Sequence, residues 1–364
     1  MRRLRIVHTE SALGWRGQEI RILSESQGLI RRGHDVMLIC PPEARIHAEA
    51  PNWGVPVIGL PIGKRRPLGV KVLYEWLKRN RSDVVATHSP TDAWLAAVAL
   101  LVLGRPVATV RTCHSSDPVP RNAATRWLYT RATARIVTTG EALKKELIER
   151  NRFPGQRIDS VPTGIDAGRF RPGNAASARA ALGLPVEGML VGIVATLRDW
   201  KGHEYLIEAL AGLNDVNLVI VGDGPRRQIL ENFVDAQNMR ARTTFAGNQA
   251  DVVPWLHALD IFALPSFANE GVPQALIQAM LTGLPCVTTH AGSIAELARH
   301  EETALVVPTK DAAALRLALQ RLISDAALRK TLGDAARRHC AANYSYQGML
   351  DRMEAVYRQV SGQR

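Results

Sequence analysis

Two groups of residues in this chain have the types and spacing for chemistry on a charged, oxygen-rich ligand. The first lies in the stretch LPSFANEGVPQALIQAMLTGLPCVTTHAGSIAEL, where Glu270 follows an apolar strand-like run and precedes a helical pattern opened by Pro273. A carboxylate there either caps the helix or aligns a ligand at its mouth, where free backbone N–H groups bind anions. The residues alone weigh those two roles equally. Gln278, eight positions on, is predicted about two turns further along the helix on nearly the same face, as a surface side chain or a second ligand contact. The second group is Arg198 and Lys201, between the apolar run Met189 to Ala195 and the helical pattern His203 to Leu213. Two cations in a strand-to-helix loop could neutralise a diphosphate, with the helix adding its dipole; otherwise they are ordinary solvated charges.

Glycines and histidines extend the set. Gly222 and Gly224 follow the run Val216 to Val221, and Gly14 and Gly17 follow the run Leu4 to Val7. Glycine after a strand lets backbone N–H groups approach a phosphate, although a tight turn has the same appearance. His88 and His114 each follow a predicted strand; a lone histidine is more often structural, and nothing has the pattern of a Ser-His-Asp or Cys-His nucleophile. Cys40, Cys113, Cys286 and Cys340 have no metal-ligand spacing, which argues against a zinc site and against a disulfide framework.

Positioning these residues requires a particular scaffold. An apolar run at Leu4 to Val7, a helical pattern from Gln18 to Arg32 closed by Gly33, and a second run at Val36 to Cys40 make one βαβ unit. Further strands are predicted at Val84 to Ala86, Pro106 to Val110 and Arg135 to Thr138, with a helix over Ala93 to Leu103. The second half repeats the pattern, with later strands at Asp260 to Leu264, Pro285 to Thr288 and Leu305 to Val307. The expected fold is α/β, with two Rossmann-like doubly wound domains facing across a cleft: residues 1–171, a linker over 172–187, and residues 188–345. A terminal helix over 346–364 is expected to cross back to the first domain. In such sheets ligands bind beyond the carboxyl ends of the strands.

The stretch around Glu270 resembles the retaining glycosyltransferases of the GT-B fold, family four in particular, through Glu270, Gly271, Ala279, Met280, Gly283, Pro285, Val287, Gly292 and Glu296. Gln278 stands where that family places a second glutamate. Lys201-Gly202 matches the family's Lys-Gly, but Thr196 occupies the place of its arginine, and Arg198 lies only three residues before the lysine. Gly222-Asp223-Gly224-Pro225 is similar to the family's Gly-x-Gly-Pro turn, and Val161 to Asp166 with Phe170 to its interdomain segment. The resemblance implies that Glu270 orients the transferred sugar, Gln278 holds the ribose, and Arg198 and Lys201 bind the diphosphate. It further implies that Gly14 and Gly17 approach the donor from the opposite wall and that His114 lies near the sugar. It implies no metal and no cofactor, with a nucleotide-diphosphate sugar, UDP- or GDP-linked, as co-substrate.

Charge is divided unevenly. Residues 1–180 carry 29 Lys and Arg against 15 Asp and Glu, and residues 181–364 carry 17 against 19, so the formal +12 belongs to the first half. A one-sided positive field attracts a polyanion or an anionic surface, and an arginine-rich solvated surface accounts for part of the excess. Without stacking aromatics or a recognition motif, nucleic acid is not an expected partner. Family members of this type extend lipid-linked or lipopolysaccharide glycans, so Lys64, Arg65 and Arg66 are candidates for an acceptor or membrane surface. The longest apolar run, Trp94 to Leu103, is too short for a membrane span, and the opening MRRLRIVHTE lacks a signal-peptide pattern, so a cytoplasmic address is expected, peripheral on the membrane's inner face. A sugar-nucleotide epimerase on the same fold and an inactive sugar- or nucleotide-binding homologue are the competing functions.

Overall fold

The computed structural model describes residues 2–105, 107–114, 118–268 and 270–362. The chain forms two compact units, Met1–Thr163 joined by Gln347–Arg364, and Gly164–Tyr346. Each is built on one parallel sheet. In the first unit the strands are β1 (Arg5–Thr9), β2 (Asp35–Cys40), β3 (Val57–Gly59), β4 (Val84–Thr87), β5 (Ala108–Cys113), β6 (Arg135–Thr138) and β7 (Ile158–Ser160), in the order β3-β2-β1-β4-β5-β6-β7. Pro106, where one strand is expected to begin, lies outside the described residues. β1 pairs on one side with β2 and on the other with β4, Val7 facing both Met37 and Val85. β4 is buried throughout, as expected of a strand covered on both faces.

Helix α1 (Gly17–Arg31) buries Ile22, Leu23 and Leu29 and ends as its sequence predicts, with Gly33 at φ 86° and its N–H on Ile30 O at 2.9 Å. Helices α2 (Pro67–Arg79) and α3 (Pro90–Leu103) each start with proline, whose fixed φ suits a first helical position. Their Leu73, Leu77, Leu95, Ala96 and Ala99 pack with Val7, Ile39 and Val85 of the sheet.

The second unit orders β8 (Met189–Val194), β9 (Val216–Val221), β10 (Thr243–Gly247), β11 (Ile261–Leu264), β12 (Cys286–Thr289) and β13 (Leu305–Val307) as β10-β9-β8-β11-β12-β13. The 172–187 segment is not a free linker. It contains helix α4 (Ala175–Leu182), whose buried Arg179 donates to Ala258 O at 2.8 Å and pairs with Asp260 at 2.6 Å. A buried, fully engaged guanidinium fastens this segment to the second unit, so the boundary falls at 163/164 rather than 171. Helices α5 (His203–Ala211) and α6 (Gln274–Leu281) follow β8 and β11.

The terminal helix α7 (Tyr346–Gly362) belongs to the first unit from Gln347 onward. It buries Met349, Leu350, Met353, Val356 and Tyr357, and the Tyr357 hydroxyl donates to Glu25 of α1 at 2.6 Å. Burial would raise the Glu354 carboxyl, but hydrogen bonds from Arg358, Arg32 and His34 hold it down at about 2. All four cysteines are buried free thiols.

Candidate active site

In each sheet the strand order reverses once, between β1 and β4 and between β8 and β11. The crevice at such a reversal is where open α/β sheets bind ligands; Gly14, His88, Arg198, Lys201 and Glu270 lie in the loops leaving those strands, Gly222 and Gly224 follow the neighbouring β9, and His114 follows the neighbouring β5.

In the second unit, four loops interlock there. An added Cβ at Gly202 would lie 2.1 Å from Pro265 O, at Gly222 2.0 Å from Ala195 O, at Gly224 2.6 Å from Leu197 O, and at Gly292 1.9 Å from Glu270 O. Three of these glycines also have φ values forbidding to most side chains, 75°, 136° and 55° for Gly202, Gly222 and Gly292. The glycine pattern is therefore demanded by close backbone approach among the loops. Further bonds fix the same arrangement: Phe267 N donates to Trp200 O at 2.8 Å, and Ser293 N to Glu270 O at 3.1 Å. Arg226, just past the Gly-x-Gly-Pro turn, pairs with both Asp199 and Glu204, clamping that turn to the lysine loop.

Within this frame Lys201 Nζ donates to Glu270 Oε1 at 2.6 Å. Glu270 is buried and Lys201 half-buried. Arg198 is half-buried, with its guanidinium 5.7 Å from the Trp200 ring centre, and it makes no ion pair among the described residues. His203 opens α5 immediately after Gly202, fully buried; burial and then the charges of Lys201 and Arg226 bring its pKa down to about 3, so the ring is neutral.

One expectation needs correction. Helix α6 begins at Gln274 with Pro273 as its N-cap, one residue after the expected start, and Glu270 lies ahead of the helix as the sequence suggests. The dipeptide Gly271-Val272 and the extended backbone of Pro273, ψ 122°, keep the helix from starting earlier. Gln278 is the fifth residue of α6, in its second turn, and it is half-buried.

In the first unit, Gly14 and Gly17 are exposed, Gly17 as the first residue of α1. Nothing inside the unit demands Gly14, since a Cβ there would meet only Arg16 Nε at 3.8 Å. The loop is held from beneath by carboxylates that the sequence did not single out. Glu10 accepts from Ala12 N at 2.7 Å and from Gln18 and Ser89, and Glu19 accepts from Arg16 N at 2.7 Å. Asp92 accepts from Thr9 Oγ1 at 2.7 Å, His88 N at 3.0 Å and Ser89 N at 2.8 Å. Burial, then the neighbouring Glu10 charge, pushes both Glu19 and Asp92 up to about 7, and burial raises Glu10 as well. The readable signal was Ser89-Pro-Thr-Asp92, a serine-to-acid capping spacing.

His88 and His114 are brought together. His88 Nδ1 lies 2.9 Å from His114 Nε2, and on its other side His88 Nε2 lies 2.9 Å from Nδ1 of His8, in β1. Burial lowers the pKa of all three rings, and the charges of Arg21 and Arg111 add to this at His88 and His114. Lys64, Arg65 and Arg66 are exposed just before α2, with Arg65 donating to Pro90 O at 3.2 Å and lying 5.7 Å from the Trp94 ring centre. Among the described residues no group of three His, Cys, Asp or Glu side chains could hold a metal ion, and no helix is long and apolar enough to cross a membrane.

Residues 15–169 match the family model described as Glycosyltransferase Family 4, and residues 175–339 the model described as Glycosyl transferases group 1. The D-inositol 3-phosphate glycosyltransferase of Mycobacterium marinum is 29% identical over 296 residues, covering 79% of this chain and 61% of that protein. The chain thus spans about three fifths of the length of the curated relatives it matches. Among solved structures, a glycosyltransferase from Rickettsia africae ESF-5 superposes with TM-score 0.89 at 20% identity, covering 99% of each chain. Anabaena Alr3699/HepE, solved in complex with UDP-glucose, superposes with TM-score 0.85 at 19% identity, covering 97% of this chain and 99% of that one. At these identities the likeness is one of fold.

Proposed function

We propose that this chain, matched in its first half by the Glycosyltransferase Family 4 model and in its second by the Glycosyl transferases group 1 model, is a GT-B glycosyltransferase that transfers a sugar from a nucleotide-diphosphate sugar to a glycan or glycolipid acceptor with retention at the anomeric carbon. The observation that carries the reading is the Lys201–Glu270 pair at the reversal point between β8 and β11, surrounded by loops that only glycine permits. On this reading Arg198 and Lys201 take the diphosphate, Glu270 the sugar hydroxyls and Gln278 the ribose diol, through hydrogen bonds without charge assistance. Crystals of Anabaena Alr3699/HepE hold UDP and UDP-glucose, which favours a uridine donor here.

The bond from the anomeric carbon to the phosphate oxygen breaks as the bond to the acceptor oxygen forms, and the departing phosphate oxygen takes the acceptor's proton. Cations and backbone N–H groups aimed at that oxygen lower the barrier by stabilising the charge it gains. The reading assigns no protein nucleophile, no metal and no cofactor. Gly14, Gly17 and His114 serve the donor from the first unit, and the basic first unit takes the acceptor. Lys64, Arg65 and Arg66 face an anionic membrane surface, which fits cell-envelope polysaccharide or lipopolysaccharide synthesis. WaaG, a glycosyltransferase involved in lipopolysaccharide biosynthesis, is similar in fold.

The test is a radiolabelled nucleotide-sugar screen with and without glycolipid acceptors. Label in the acceptor with unchanged anomeric configuration supports the reading. Isomerisation of the donor without acceptor, or nucleotide binding with no turnover, overturns it.

A further inference from the structure

Three imidazoles line the carboxyl edge of the first sheet at its reversal point. His8 is in β1, His88 directly follows β4 and His114 directly follows β5, on three neighbouring strands. The rings of His8 and His88 are stacked with centres 5.2 Å apart, and His88 and His114 are likewise 5.2 Å apart. Both contacts are hydrogen bonds of 2.9 Å, and between them they use both nitrogens of His88. We propose that these three residues act as one imidazole chain, in which His88 is a positioning residue that fixes the tautomer of His114 and so sets whether its outer nitrogen, Nδ1, offers the bound sugar a donor or an acceptor. The proposal rests on the reading above that His114 meets the sugar.

A neutral imidazole carries one N–H, so a chain of three permits two arrangements. In the first, His8 Nδ1–H donates to His88 Nε2, His88 Nδ1–H donates to His114 Nε2, and His114 carries its proton on Nδ1. In the second every bond is reversed, His114 Nδ1 is bare, and His8 carries its proton on Nε2. The choice is made at the far end. His8 is wholly buried and its Nε2 has no hydrogen-bond partner among the described residues. A buried N–H with no acceptor is rarer than a buried lone pair with no donor, so His8 keeps Nε2 bare and the first arrangement holds. His114 therefore presents Nδ1–H, a donor, to a sugar oxygen.

The groups around the chain favour neutral rings. Arg21 and Arg111 act on His88 and His114 against protonation. Glu25 acts on His8 in the opposite sense, and it is already bonded to the Tyr357 hydroxyl and lies 3.6 Å from Arg21 Nε. Tyr357 meets His8 edge-on, ring centres 6.2 Å apart. Asp92 spends an oxygen on the backbone N–H of His88, holding that ring's backbone without touching its nitrogens.

The experiment reads tautomers directly, by long-range nitrogen–proton NMR on protein with isotope-labelled histidine, assigned among the ten histidines by single substitutions. The expected result is His114 neutral with its proton on Nδ1, the less common tautomer of a free histidine side chain. His88→Leu should return it to the Nε2–H form. His88→Gln, whose amide can accept from His8 and donate to His114, should restore Nδ1–H and serves as the better-tolerated variant. With the best donor, His88→Leu should lower kcat by up to about 100-fold, the loss of one transition-state donor, while nucleoside diphosphate affinity in calorimetry stays within two-fold and His88→Gln recovers most of the rate. An Nε2–H or doubly protonated His114 in the unaltered protein, or the same tautomer in His88→Leu, overturns the proposal. So does an unchanged kcat in His88→Leu. Failure of the glycosyltransferase reading shows separately, as absence of transfer by the unaltered protein, because the NMR measurement needs no substrate.

Discussion

Lys201 Nζ stands 2.6 Å from Oε1 of Glu270, joining the loop after β8 to the loop after β11. The lysine assigned to the donor diphosphate is therefore already engaged by the carboxylate assigned to the donor sugar. A ligand must either share the ammonium group with Glu270 or draw it away. Lysine has three rotatable donors and can do the first.

That relationship gives opposite expectations for the two partners. Lys201→Ala should weaken nucleoside diphosphate binding by about 1.5–3 kcal/mol, the range for a hydrogen bond to a charged group. Glu270→Gln should leave that affinity equal or tighter, since the ammonium group is released to phosphate, while transfer of the sugar falls. Calorimetry with the diphosphate and a transfer assay separate the two effects. Equal affinity in Lys201→Ala would remove the lysine from the donor site.

Gln278 offers a test that adds a charge. If its amide meets the ribose diol, Gln278→Glu should bind the donor at least as tightly, because a carboxylate accepts both hydroxyls with charge assistance, and Gln278→Leu should bind more weakly. Arg198→Ala belongs to the same measurement, since Arg198 is the arginine in the loop where Thr196 supplies no charge. Indistinguishable affinities across the Gln278 forms would take that residue out of the ribose site.

Much of this site was legible because strand-end loops repeat the same local problem. Gly222 and Gly224 are readable from their place after an apolar run, and Gly202 and Gly292 through the family resemblance; the close backbone approaches give a packing reason for all four. Glu270 and Lys201 were readable singly, but not their contact, which joins positions 69 residues apart. The sequence opens α6 at Pro273 and the structure at Gln274, because proline suits both the first helical position and the residue before it. Glu19 and Asp92 carry no mark in the sequence, since acidic residues near helix starts are common, and Glu10 reads as an ordinary loop acid after β1; only burial distinguishes the three. His8 was hidden inside a strand, where alternation says nothing about which nitrogens meet across the sheet. The short strands β3, β7 and β10 gave too few apolar residues to register.

The buried carboxylates beneath the Gly14 loop carry a pH signature. Glu19 titrates near 7 in the folded chain, raised first by burial and next by Glu10, against 4.5 for a free glutamate. Between those values the unfolded chain has lost the proton that the folded chain retains, so the folded state binds more protons and this group's contribution to stability falls as pH rises from about 4.5 to about 7. Below and above that window it is flat. Glu19→Gln removes the titration while keeping an acceptor for Arg16 N, so its Tm relative to the unaltered protein should climb across the same window. Thermal melts at half-unit pH steps read this, and a constant difference would show that Glu19 is ionised when folded.

The basic first half predicts membrane behaviour that needs no hydrophobic anchor. Lys64, Arg65 and Arg66 are exposed together at the start of α2, next to an exposed Leu68, and Lys71, Lys78 and Arg79 are exposed along the same helix. Each such cation held near an anionic bilayer contributes on the order of 1 kcal/mol, and the attraction weakens as salt shortens its reach. Arg65 is partly committed to Pro90 O and Trp94, so Lys64 and Arg66 are the freer of the three. Sedimentation with anionic vesicles should therefore capture the protein at low salt and release it at high salt, neutral vesicles should capture little, and changing Lys64, Arg65 and Arg66 to Ser should remove most of the anionic binding. Equal capture by both vesicle types, or indifference to the triple change, would assign the charge to a solvated surface and the acceptor to solution, with the donor site unaffected.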